Sequence, residues 1–164
     1  MEQLVKTWVE EHSEFLFKMA YRLAGSGADA EDLVQQTFLK VQQNRHSLAS
    51  GPQEIRPWLI RVLRNEWLQQ LRKDRKKVPW PLHLEHDLAE PDEPSDSVPV
   101  FGDIQPLLNR MPPDFREPLV LHYLAGMGYR EISEQLDLPM GTVMSRLARA
   151  RSWLKNRLLP QGSD

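Results

Sequence analysis

Two short runs of this 164-residue chain gather the side chains that could do chemistry, and in both the chemistry is recognition of a polyanion rather than bond-making. In the first, Thr142, Met144, Ser145, Arg146 and Arg149 fall outside the apolar stripe Val143, Leu147, Ala150, Leu154 and Leu158. Arginine can bridge two acceptors on guanine, and a Ser or Thr hydroxyl can contact a base or a phosphate. Five cations (Arg146, Arg149, Arg151, Lys155, Arg157) and no acid lie between Thr142 and Leu158, a pattern that also fits a helical hairpin with a basic outer face. In the second run, Arg61, Arg64, Asn65, Gln69, Arg72 and Lys73 share the polar side of one helix, which ends Arg72-Lys73-Asp74-Arg75-Lys76-Lys77. Five cations in six residues repel one another unless a polyanion neutralises them. A solvated helix end, favoured by the helix dipole, is the alternative. Trp58 and Trp67 interleave with these cations as bases would require, since bases stack on aromatic rings. Trp58 reads as core, and Trp67 as either a stacking platform or core.

Constellations that make or break bonds are missing. His83-Leu84-Glu85-His86 has metal-ligand residue types but no further ligand at useful spacing, and lies in a Pro-rich acidic stretch that reads as solvated. His12, His46 and His122 are scattered, with no nucleophile to join them. The absence of cysteine excludes a disulfide framework, a Cys-ligated zinc and a Cys nucleophile. No Gly-rich phosphate loop is present. The expectation is therefore no catalytic residue, no metal, no cofactor and no small-molecule substrate.

The elements that must position the two basic runs are helices. Phe15, Met19 and Leu23, with Leu16 and Ala20, mark one helix face ended by Gly25-Ser26-Gly27. Leu33, Val34, Thr37, Phe38 and Val41 mark a second, opened by carboxylates in its first turn. Residues 45–56 read as a loop, and Pro57 opens a third helix running to about Lys77, with Trp58, Leu59, Val62, Leu63 and Leu71 for the core. Further on, a short helix closes at Met111, a helix spans Asp114 to Ala125 with Pro118 near its start, and Tyr129 to Leu136 forms a short amphipathic helix. A tight turn at Asp137–Gly141 then leads to a longer helix from Thr142 to about Leu159, which together make a helix-turn-helix. In that motif the second helix enters the major groove.

Charge divides the chain the same way. The net charge of −2 would argue against nucleic acid if read alone. By segment it is −4 over residues 1–36, +7 over 37–78, −7 over 79–104 and +2 over 105–164. The third segment holds Pro79, Pro81, Pro91, Pro94 and Pro99 and no cation, and reads as an extended linker. The fold class is thus all-α: two small helical domains, 1–78 and 105–164, joined by an acidic Pro-rich linker, 79–104, the second domain with a helix-turn-helix. No signal peptide, and no run of the roughly 20 apolar residues that spans a bilayer, is visible. A cytoplasmic protein with no membrane insertion is expected.

Three strings, in order, resemble the extracytoplasmic-function (ECF) sigma factors of bacterial RNA polymerase: Asp29-Ala30-Glu31-Asp32-Leu33-Val34-Gln35-Gln36-Thr37-Phe38, then Trp58-Leu59-Ile60-Arg61-Val62 with Asn65, then Gly141-Thr142-Val143-Met144-Ser145-Arg146-Leu147-Ala148-Arg149-Ala150-Arg151. The resemblance spans roughly residues 10–78 and 105–158 and omits the linker. It implies a promoter-recognition subunit whose partners are core RNA polymerase, promoter DNA and an anti-sigma factor. It implies that the second helix grips the polymerase clamp through Glu31, Asp32, Gln35, Gln36 and Phe38. Melting and reading of the minus-ten element would fall to Arg61 and Asn65 with the loop 45–56, and Arg64, Gln69 and Arg72 nearby. The minus-thirty-five duplex would be read by Thr142, Met144, Ser145, Arg146 and Arg149. The linker would thread the polymerase towards the RNA exit path. The chain departs from the family's usual pattern at Gln36, often Glu, at Leu48, in a loop that often carries Phe, and at Trp67, usually a smaller residue. The competing reading is a stand-alone helix-turn-helix regulator with a helical sensor domain, for which the basic helix 57–77 has no use.

Overall fold

The computed structural model describes residues 2–50, 54–75 and 104–158, and the chain divides into two compact units, Met1–Trp80 and Pro81–Asp164. All regular structure among the described residues is helical. The linker expected at 79–104 lies outside the described residues but for Ile104, as do Lys76, Lys77 and the His83–His86 stretch.

The first unit is built of α1 (Glu2–Ala24), α2 (Gly27–Gln43), α3 (Arg45–Ser50) and α4 (Ile55–Arg75). α1 packs on α2 and α4, and α2 on α4. The break between α1 and α2 follows from three residues. Gly25 takes φ +89°, which a side chain would resist, and Ser26 then caps α2 by accepting the Asp29 N–H at 3.2 Å. Leu16, Met19, Ala20 and Leu23 of α1 meet Ala30, Leu33, Thr37 and Val41 of α2 in the core. Thr37 is tolerated there because its hydroxyl donates to the Leu33 carbonyl at 2.7 Å. Phe15, Val34 and Phe38, expected on the stripes, sit half-buried at their edges.

Two expectations change in this unit. Residues 45–50, read as part of a loop, form α3, which follows directly on Asn44, the C-cap of α2, whose carbonyl accepts the Leu48 N–H at 3.0 Å. Nothing in Arg45–Ser50 opposes a helix, and the breaker pair Gly51-Pro52 comes only after it. The core face of α4 is also rotated from the expected one. It buries Leu59, Ile60, Leu63 and Trp67, while Trp58, Val62 and Leu71 are half-buried. Trp67 is 1% exposed, so it is core and no base can stack on it.

The second unit is built of α5 (Gln105–Arg110), α6 (Pro113–Tyr123), α7 (Tyr129–Leu136) and α8 (Met140–Leu158). α6 and α7 pack on α8 and on each other. Pro118 lies at the sixth position of α6, mid-helix rather than in its first turn. The carbonyl it leaves without a helical donor is that of Asp114, which is exposed. Arg116 ties α6 back to the end of α5, donating to the carbonyls of Met111 at 2.6 Å and Asn109 at 3.3 Å. Burial pulls its pKa down to about 10, still charged at neutral pH. The α7–α8 turn has Asp137 in the left-handed region at φ 53°, which aspartate tolerates. The Leu138 N–H closes on the Ser133 carbonyl at 3.0 Å. Val143, Leu147, Ala150 and Leu154 face the core, with Ile132 and Leu136 of α7 also buried. Leu158 is half-buried.

Candidate nucleic-acid interface

In the second unit the packing of α8 decides which of its polar residues reach solvent. With Val143, Leu147 and Ala150 inward, Met144 and Arg149 are exposed and Thr142, Ser145 and Arg146 half-buried. Thr142, Ser145, Arg146 and Arg149 line one cavity of about 360 Å³ whose opposite wall is Asp114 and Phe115 of α6. The sequence motif thus becomes the floor of a groove, and the α6 wall is a part that sequence reasoning missed. Arg146 Nη1 stands 3.9 Å from Asp114 Oδ1. An ion pair this long and solvated is weak, so an incoming phosphate can replace the carboxylate. Gly141 also lines the cavity, and a Cβ built there would meet nothing within 4 Å.

One expected member of the outer basic face is not on it. Arg151 is 9% exposed and its Nη1 donates to the Tyr123 hydroxyl at 3.4 Å, so it fastens α8 to α6. Arg157 lies over the Trp153 ring at 3.7 Å and donates to the Trp153 carbonyl. The outward charge of α8 therefore concentrates towards Arg146 and Arg149 on its first half and Lys155 and Arg157 at its end.

In the first unit α4 exposes Arg61, Asn65, Gln69 and Arg72, spaced by four, four and three, with Arg64 half-buried beside them. Burial and then the neighbouring Arg61 hold the Arg64 guanidinium below its ordinary pKa. Like charges gathered on one helix face form a surface that suits an anion. Behind this face Lys40 of α2 and Glu66 of α4 pair at 2.7 Å, and Arg56 lies over the Phe15 ring at 4.1 Å. These contacts set the pose of α4 against α1 and α2. Within the expected loop, Leu48 is half-buried on α3 and residues 51–53 lie outside the described residues.

The outer face of α2 is of another kind. Glu31, Asp32, Gln35 and Gln36 are exposed and Phe38 is half-buried. Leu39 is 53% exposed among them. Glu31, Val34 and Gln35 also border an apolar groove against Glu14, Phe17 and Lys18 of α1, with Phe17 exposed. Leu39 was readable in the sequence as the one leucine out of phase with the α2 stripe. This face repels a polyanion and suits a protein surface. No group of three or more potential metal ligands occurs among the described residues, and no helix among them is long and apolar enough to cross a membrane.

The family model of Sigma-70 region 2 matches residues 8–77, and that of Sigma-70, region 4 matches residues 101–154. The ECF RNA polymerase sigma factor SigE of Mycolicibacterium smegmatis is 33% identical over 162 residues, covering 95% of this chain and 62% of that protein. This chain is thus shorter than that relative. SigM of Bacillus subtilis, also an ECF RNA polymerase sigma factor, is 31% identical over 128 residues, covering 77% of each chain. Among solved structures, the sigma factor RpoE of Bartonella quintana, in complex with the anti-sigma factor NepR, superposes with a TM-score of 0.69 at 28% identity, covering 93% of this chain and 97% of that one.

Proposed function

The chain belongs to the ECF RNA polymerase sigma factors, and from that premise we propose that it joins core RNA polymerase and directs it to promoters. In this reading residues 1–78 act as region 2, 79–104 as the linker and 105–164 as region 4. Glu31, Asp32, Gln35, Gln36 and Phe38 meet the polymerase, with Leu39 adding apolar contact in the same patch. Arg61, Arg64, Asn65, Gln69 and Arg72 take the minus-ten strand as it separates. Thr142, Met144, Ser145, Arg146 and Arg149 enter the minus-thirty-five major groove. The chain is no enzyme: bond formation belongs to the polymerase, and the work proceeds in the cytoplasm, where the polymerase and DNA are.

The observation that carries the proposal is a cationic helix face on each of the two units, with one acidic, apolar-edged face beside the first of them. A stand-alone regulator needs the helix-turn-helix but neither α4 nor the outer face of α2. Melting DNA forfeits base stacking, which the α4 face recovers in part by holding one strand. The linker keeps the second contact at high effective concentration once the first has formed. Run-off transcription with core polymerase and this chain on a genomic promoter library tests the proposal. Transcripts starting at a common distance from shared minus-ten and minus-thirty-five elements are expected. Sequence-specific DNA binding by the chain alone, with no transcription when core polymerase is added, would instead establish the regulator. Because the related RpoE is held by NepR, an anti-sigma partner follows for this chain too. It should be recovered by pull-down and should block the run-off.

A further inference from the structure

α8 begins with two methionines, Met140 and Met144, one turn apart and therefore on the same side of the helix. They are 43% and 48% exposed. With Tyr123 they are the large hydrophobic side chains that the described part of the second unit leaves in solvent. Folding does not explain them, since neither is in the core and polar residues would serve as well in water. They occupy the leading end of the helix, the end that reads base edges when such a helix enters the major groove. The same turns of α8 also carry Thr142, Ser145, Arg146 and Arg149, which line the cavity against α6, with no acid from Thr142 to Leu158. The surroundings suit a phosphate-bearing duplex, and the partner for two thioethers must be an apolar group within it. The major groove offers one such group, the C5 methyl of thymine. Four residues of helix separate the two side chains by about 6 Å along the axis, or about two base-pair steps of about 3.4 Å.

We propose that Met140 and Met144 read thymine methyl groups about two base pairs apart, so that the minus-thirty-five element of this chain has A·T pairs at those positions. The inference rests on the reading of the second unit as a minus-thirty-five binder and adds the chemical identity of two of the bases it selects. Methionine suits the task because its polarizable, unbranched side chain adapts to the shape it meets.

The test uses the holoenzyme and a promoter selected from the library, with each minus-thirty-five thymine replaced in turn by deoxyuridine, which removes the methyl and nothing else. At one or two positions the substitution should weaken binding about three- to fourfold, the transfer value of one buried methyl-sized group. That sensitivity should vanish in Met144→Ala or Met140→Ala and survive in Met144→Leu, which keeps an apolar side chain. All three substitutions fall at two solvent-facing positions, so the fold is not at stake. An element made of G·C pairs alone, or one in which base-pair changes matter but deoxyuridine never does, overturns the methyl readout and leaves promoter recognition standing. A holoenzyme indifferent to every base change in that region overturns both.

Discussion

On α4, Arg61 and Arg64 stand one turn apart on a helix anchored from behind by Trp67 and by the Lys40–Glu66 pair. On α8, Arg146 faces Asp114 across a cavity, and Arg149 stands on the same groove with two exposed methionines on the same helix. The cations are similar but their settings differ. Cations spaced along one exposed helix face supply attraction along its length, which suits a flexible single strand. A two-walled groove that gathers guanidiniums and hydroxyls on one helix suits the base edges of an intact duplex. The lesson is that net charge identifies a partner class, while the neighbours of each cation identify the form of that partner.

The comparison depends on the two units being separately stable, and the largest expected effect tests this. Trp67→Ala removes the largest fully buried side chain of the first unit and should destabilise it by about 3–5 kcal/mol. Hydrogen exchange should quicken throughout α1, α2 and α4 and stay unchanged in α6, α7 and α8. Faster exchange in α8 would merge the two units into one cooperative body. Next in size, Arg149→Ala or Arg146→Ala should weaken minus-thirty-five binding by about 1–3 kcal/mol and relax discrimination there. Equal transcription across minus-thirty-five variants, before and after substitution, would remove these residues from base readout. Smaller again, Asn65→Ala should slow open-complex formation by up to about tenfold, as for one lost hydrogen bond, while closed-complex binding persists. Permanganate reactivity of the melted thymines reports it, and an unchanged time course would take Asn65 out of strand capture.

Much of this architecture was legible in the residues. Leu16, Met19, Ala20 and Leu23, and likewise Val143, Leu147, Ala150 and Leu154, follow helical period closely and face the core as expected. α4 was harder because apolar residues occupy 58–60, 62, 63, 67, 68 and 71, too wide a spread to fix one face. Its phase is set by packing on α1 and α2, which buries Ile60 and Trp67 in place of Trp58 and Val62. α3 is six residues long and gives no periodic signal. Arg151 looks like its neighbours in sequence, and Tyr123 and Tyr129, on helices distant in sequence, hold it inward. The same holds for Asp114 and Phe115: spacing along α8 revealed one wall of the groove, and the other comes from a contact of long sequence separation.

The smallest effect separates fold from function at Gly141. A glycine inside a helix costs about 0.5–1 kcal/mol relative to alanine. Gly141 is the second residue of α8, and a Cβ there would meet open space within the protein. Nothing in the free chain therefore requires glycine, and Gly141→Ala, in the first turn, should stabilise the second unit by a part of that amount. The backbone at this point borders the cavity shared by Arg146 and Arg149. If the duplex backbone approaches there as closely as the groove reading of α8 demands, the added methyl intrudes on it, and minus-thirty-five binding should fall several-fold although the protein is more stable. Alanine at the exposed face of α4, at Gln69, should show no such opposition between stability and binding, because a flexible single strand can shift around a changed side chain. Thermal unfolding and promoter binding measured on the same two variants decide the matter. Binding that rises with stability in Gly141→Ala would place the duplex away from the start of α8 and would erase the proposed difference between the two helices.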